Sequence, residues 1–194
     1  MRIALVCGSV REVSSTRSLL KQLEKFLDDV QEVKVDFFDL KETPLPIFDG
    51  SLENRKQAES FVERMNLADC LIVASPEYHN SFSGVLKNAF DFVSGEQIKG
   101  KPIGIIATSG GGKGGINCLN SMRTFLRGLY GMVLAEQIVV DGVFFEDGRC
   151  INVDLLEKIN DLTNEVIDFA NMLQLRKNRP DLFEKTEQEN NICI

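Results

Sequence analysis

"RIALVCGSVREVSSTRSLLKQLEKFL", residues 2–27, carries a strand, a polar turn and a helix in one stretch. Residues 2–7 are a short apolar run ended by glycine, the signature of a strand buried on both faces. Beyond the turn, Leu19, Leu20, Leu23, Phe26 and Leu27 recur at helical spacing, which predicts an amphipathic helix over 16–30. Between them lies "GSVREVSST", residues 8–16, with one arginine (Arg11) and four hydroxyl side chains (Ser9, Ser14, Ser15 and Thr16).

The same alternation runs through the chain. Further strands are expected at 33–40, 70–75, 101–109 and 132–140. Helices are expected at 53–68, 83–94, 115–130 and 153–175. Five strand–helix units in succession predict an α/β fold: a doubly wound, five-stranded parallel sheet with helices on both faces. Five such strands fit the order 2-1-3-4-5, whose switch point lies between strands one and three. Residues 1–175 read as a single domain. Residues 176–194 lose apolar periodicity and read as a polar tail, exposed or packed on a neighbouring subunit.

Bulk properties narrow the class. The chain has 194 residues, 43% hydrophobic and 26% charged, which suits one ordinary globular domain. Its net charge of −7 argues against nucleic acid as a partner, because phosphate backbones recruit Lys and Arg. No apolar run approaches the roughly 20 residues of a membrane span. The five cysteines are odd in number and scattered, without a CxxC pair, so reduced thiols in a cytoplasmic chain are expected. With His79 as the one histidine, no multi-histidine metal site fits within one chain, and no metal is expected.

Three loops are unusually polar, and each follows a strand: residues 8–16, 75–84 ("SPEYHNSFSG") and 109–115 ("SGGGKGG"). In a parallel sheet they meet at the carboxyl edge, where open α/β sheets bind ligands. A helix N-terminus with unpaired N–H groups, added hydroxyls and Arg11 suits a phosphate. One of Ser14, Ser15 and Thr16 would also serve as an ordinary helix cap. The P-loop pattern GxxxxGK[ST] is absent. A GxGxxG pattern occurs at Gly110, Gly112 and Gly115, but it follows strand four rather than strand one, within a glycine run that matches many patterns. That run also lets a flat ring approach the backbone, or is a plain loop.

Loop one resembles the GSxRxxSxN/T phosphate loop of the NAD(P)H-dependent FMN reductase family. "PEYHNSFSGVLKNAFD", residues 76–91, is similar to that family's PEYNxSxPGxLKNAID signature, and "TSGGGKGG", residues 108–115, to its third flavin loop. Arg123 falls where the family carries an LR pair. The resemblance runs from about Arg2 to Val140 and implies a flavodoxin-like fold. It also implies site residues. Ser9, Arg11, Ser14, Ser15 and Thr16 would hold the FMN phosphate. Pro76, Glu77, Tyr78 and His79 would line the ribityl chain and the isoalloxazine edge. Ser109, Gly110, Gly111 and Gly112 would flank the ring from its far side.

The chemistry so implied is borne by the flavin, with no catalytic side chain. NAD(P)H would give hydride to FMN and leave, and a small-molecule electron acceptor (flavin, quinone, azo compound or chromate) would then take its place. The resemblance also implies a homodimer or homotetramer. Two departures stand out: His79 replaces the family's Asn, and Ser83 replaces a Pro. His79 is thereby a candidate modulator of the flavin or of proton supply near neutral pH. Lys113 is either a nucleotide-phosphate contact or an ordinary surface lysine. Three other readings stay open at this point: a flavodoxin-type electron carrier, an FMN-binding regulatory module without turnover, and a Rossmann-type NAD(P) site in loop three without flavin.

Overall fold

In the computed structural model, which describes residues 1–110 and 114–182, the chain forms one mostly parallel sheet between two layers of helices. The strands are β1 (Arg2–Cys7), β2 (Lys34–Asp39), β3 (Cys70–Tyr78), β4 (Ser81–Phe82), β5 (Pro102–Ser109), β6 (Met132–Val133) and β7 (Ile138–Asp141). They run in the order β2-β1-β3-β5-β6, with β7 also paired to β5 and β4 paired antiparallel to β3. Helices α1 (Ser15–Asp28), α2 (Leu52–Gln57), α3 (Glu59–Leu67), α4 (Gly84–Asp91), α5 (Gly95–Ile98), α6 (Ile116–Gly128) and α7 (Val153–Asn178) join or follow them.

Strand periodicity sorts the core into two halves. In β1, Ile3, Leu5 and Cys7 face one side, where they meet Leu19, Leu20, Leu23 and Leu27 of α1 and Ile159, Leu162 and Val166 of α7. Ala4 and Val6 face the other, toward Phe61 and Met65 of α3, Leu86 and Phe90 of α4, and Leu119 and Met122 of α6. Every second residue of β3 and β5 divides the same way. Burial on both faces explains why these strands read as unbroken apolar runs.

The sheet has seven strands, not the expected five in the order 2-1-3-4-5. The run expected as one strand at 132–140 is broken into β6 and β7. Arg123 of α6 reaches the break, donating to the carbonyls of Val133 and Ala135 and to the Gln137 side chain. Carbonyls that would otherwise face a neighbouring strand are satisfied by a guanidinium, and the strand departs from the ladder. The added strand, β4, is the return of a hairpin from β3. The helix expected at 53–68 is interrupted at Ala58, into α2 and α3. A second small hairpin, β8 (Phe145–Glu146) with β9 (Arg149–Cys150), precedes α7. Gln22 of α1 holds it, accepting from the Cys150 N–H and donating to the Cys150 carbonyl.

Candidate flavin site

The carboxyl ends of β1, β2, β3 and β5 share one edge, with Cys7 beside Asp39 and Ala74, and Pro76 beside Thr108. Side chains then knit the three polar loops together. The Gly8 N–H extends the ladder to the Ala74 carbonyl at 2.8 Å, and the Gly8 carbonyl accepts from the Ser83 hydroxyl. Thr16, in the first turn of α1, shares a hydrogen bond of 2.5 Å with Thr108 at the end of β5. Glu77 accepts from the Cys118 N–H at 3.0 Å, which joins the second loop to the start of α6. A Cβ at Gly8 would lie 3.1 Å from the Ala74 carbonyl oxygen and 3.1 Å from Leu86 Cβ, so only glycine fits there without displacing the edge.

In loop one, Ser14 is the N-cap of α1; its hydroxyl oxygen accepts from the Arg17 N–H at 3.1 Å. The cap reading and the phosphate reading are compatible, because a capping hydroxyl still has its own proton to donate. Ser9 and Thr16 are buried, Ser15 is half-buried and Arg11 is exposed. Arg11 has no ion pair or side-chain hydrogen bond among the described residues, and the N–H groups of Val10, Arg11 and Glu12 have no backbone partner there. One free guanidinium beside unpaired amides at a helix N-terminus is an anion-binding arrangement.

The second loop is a tight hairpin. Glu77 pairs with Phe82 and Tyr78 with Ser81, leaving His79 and Asn80 as the two turn residues. Both have positive φ, 50° and 63°, as a two-residue type I′ turn demands. That geometry explains the asparagine in the family signature, since Asn tolerates the left-handed region better than His. Pro76 is buried within β3, while Tyr78 and His79 are exposed at the rim. Glu77 serves α6, whose N-cap residue Gly115 offers no side chain. Ser83 caps α4 in the same way, accepting from the Leu86 N–H.

On the third side, Ser109 ends β5, and its hydroxyl is buried without a partner among the described residues. Gly110 lies in open space; Gly111, Gly112 and Lys113 lie outside the described residues. Arg123, at the position of the family's LR pair, braces β6 and β7. Cys7, Cys70 and Cys118 are free and buried; burial pushes the Cys7 thiol up to about 11 and those of Cys70 and Cys118 to about 12. Such thiols stay protonated and are poor nucleophiles.

Sequence reasoning missed three residues that shape this edge. Arg17 is buried and paired with Asp39, the last residue of β2. Asn88, inside the signature helix, receives the Phe48 N–H at 2.8 Å and donates to the Pro46 carbonyl at 2.7 Å, so it fixes the loop after β2. A charged pair of residues flanking otherwise buried segments, Arg17 after the hydroxyl run and Asp39 closing "VDFFD", was the available signal.

Comparison with known proteins identifies the family. The family model described as NADPH-dependent FMN reductase matches residues 1–145. An NADPH azoreductase of Bacillus sp. (strain OY1-2) is 33% identical over 169 residues, covering 86% of this chain and 90% of that one. An FMN-dependent NADPH-azoreductase of Staphylococcus haemolyticus is 35% identical over 144 residues, 71% of this chain and 76% of that one. The solved structure of FerB, a flavoenzyme NAD(P)H:(acceptor) oxidoreductase from Paracoccus denitrificans, superposes with a TM-score of 0.67 at 23% identity, covering 88% of this chain and 95% of that one. That last likeness concerns the fold. By the extent of the family match and of its relatives, the chain belongs to the NADPH-dependent FMN reductase family, and with it to the NAD(P)H-dependent FMN oxidoreductases.

Proposed function

We propose that the chain holds FMN along the carboxyl edge, with the phosphate in loop one, and passes reducing equivalents from NADPH to a small azo or quinone acceptor. The observation that carries this reading is loop one itself: N–H groups of Val10, Arg11 and Glu12 and an Arg11 guanidinium that find no partner among the described residues. The fit of flavin to the remaining edge rests on the Ser109 hydroxyl, buried and without a partner among the described residues, where a polar ring edge would satisfy it. The azo acceptor is favoured because the relatives at 33% and 35% identity are named azoreductases.

FMN when bound supplies the hydride and electron chemistry. The residues of this chain supply position. Ser9, Arg11, Ser14, Ser15 and Thr16 hold the phosphate: Arg11 through paired N–H groups, Ser14 through the proton its cap leaves free. Pro76, Glu77, Tyr78 and His79 border the ribityl chain and one ring edge, and Ser109 with the glycines after it borders the other. Glu77 acts there through its bond to the start of α6 rather than as a proton carrier. His79 acts by shaping the hairpin, through its positive φ.

Residues 1–175 form this flavin-binding unit. The exposed Val143, Ile151 and Val153 near the β8–β9 hairpin favour assembly as a homodimer or homotetramer. Among the described residues no helix is long and apolar enough to cross a membrane, and a reduced, cytoplasmic setting suits the buried free thiols.

Steady-state kinetics with NADPH and an azo dye varied together test the reading. One shared site used in turn gives parallel double-reciprocal lines. Intersecting lines, or no turnover with any azo or quinone acceptor, contradict it.

A further inference from the structure

We infer that the buried Arg17–Asp39 pair is a positioning device that sets the shape of the phosphate loop, an inference that rests on loop one being the FMN phosphate site. Arg17 is 9% exposed and Asp39 6%. The guanidinium spends four of its five N–H groups inside the protein. Nη1 donates to the Arg11 carbonyl at 2.6 Å, and Nη2 donates to the Ser9 carbonyl at 2.7 Å. Nε and Nη2 grip the two carboxylate oxygens of Asp39, and Asp39 also accepts from the Lys41 N–H at 3.0 Å.

The consequence for the loop follows from peptide geometry. No peptide bond in the described chain is cis, so each C=O points opposite to the N–H of the next residue. Turning the Ser9 carbonyl toward Arg17 turns the Val10 N–H away from it. Turning the Arg11 carbonyl inward does the same for the Glu12 N–H. Both amides lack a partner among the described residues. Arg17 therefore grips the back of the loop, and the front presents donors to an anion.

Charge supports the same division of labour. Asp39 balances Arg17, so the buried guanidinium brings no net charge of its own, and its donors are already taken. The anion is left to Arg11. A second tether runs in parallel: Glu12 pairs with Lys41 at 2.7 Å, two residues beyond Asp39. The end of β2 thus holds loop one at two points. Lysine could not replace Arg17, because an ammonium lacks the planar fork that reaches two carbonyls and a carboxylate together.

Flavin-fluorescence titration with FMN and with riboflavin, which lacks the phosphate, separates this role from general structural support. The wild-type protein is expected to prefer FMN. Arg17→Met and Arg17→Lys are expected to lose about tenfold or more in FMN affinity, with riboflavin affinity nearly unchanged. Arg17→Met leaves a buried carboxylate unpaired and can fail to fold. The double variant Arg17→Met, Asp39→Leu removes that charge, and the same loss of FMN preference is expected from it. A folded variant that keeps the wild-type ratio of FMN to riboflavin affinity, or loses both ligands alike, overturns the positioning role. A wild-type protein that binds riboflavin as tightly as FMN overturns the phosphate reading of loop one, and the inference with it.

Discussion

The Ser83 hydroxyl donates to the carbonyl of Gly8, 75 positions earlier in the chain. The same oxygen accepts from the Leu86 N–H and so caps α4, while the Ser83 N–H donates to the Ser75 hydroxyl at 2.9 Å. One 2% exposed serine thus joins the end of β1, the end of β3 and the start of α4. Ser83→Ala removes the cap and leaves a buried carbonyl unsatisfied. A loss of about 2 kcal/mol in urea unfolding is expected. The family's proline suits the backbone here, since φ is −63° and ψ 145°. Ser83→Pro fits that backbone but also removes the N–H that donates to Ser75, so its midpoint should fall below that of Ser83→Ala.

The hairpin turn makes an opposite prediction. His79 occupies the left-handed region at φ 50°, which asparagine adopts more readily because its short polar side chain can hydrogen-bond the local backbone. His79→Asn should stabilise the protein by about 0.5–1 kcal/mol, read as a higher thermal midpoint. The same variant should leave the pH profile of turnover unchanged, because His79 acts through the backbone. A shifted profile would instead give the imidazole a role in proton supply.

The buried thiols set a limit at alkaline pH. Thiols have an ordinary value of 9.0, and burial raises Cys7 to about 11 and Cys70 and Cys118 to about 12. Between these values the unfolded chain releases protons that the native chain keeps. Their contribution to stability is therefore full below pH 9 and is lost as pH rises toward 11 and 12. Urea midpoints should fall as pH rises above about 9, and Cys118→Ala should shrink that fall. At neutral pH the native thiols should react with a disulfide reagent far more slowly than the urea-unfolded ones. Equal rates would place the thiols nearer solvent than described.

Much of the fold was legible because it rests on local patterns. Strand β1 is where the apolar run 2–7 placed it, and α1 follows from the spacing of Leu19, Leu20, Leu23 and Leu27. Three polar loops after three parallel strands had to share an edge, and Ser83–Gly8 and Thr16–Thr108 show them in contact. What escaped were contacts between distant residues with no periodic trace. Arg17 and Asp39 lie 22 positions apart, and Phe48 and Asn88 lie 40 apart. Nor does the run 132–140 reveal that Arg123 will take the carbonyls of Val133 and Ala135 and split the strand. The turn at His79 and Asn80 carries no glycine, the residue that ordinarily announces such a hairpin.

Anaerobic addition of NADPH to the FMN-loaded protein tests the central claim most directly, with the flavin absorption followed in the visible. The flavin colour should bleach on mixing, without a partner protein, and return when an azo dye or quinone is added. A bound flavin that stays oxidised in NADPH and is reduced only through a partner reductase would contradict the account and make the chain an electron carrier.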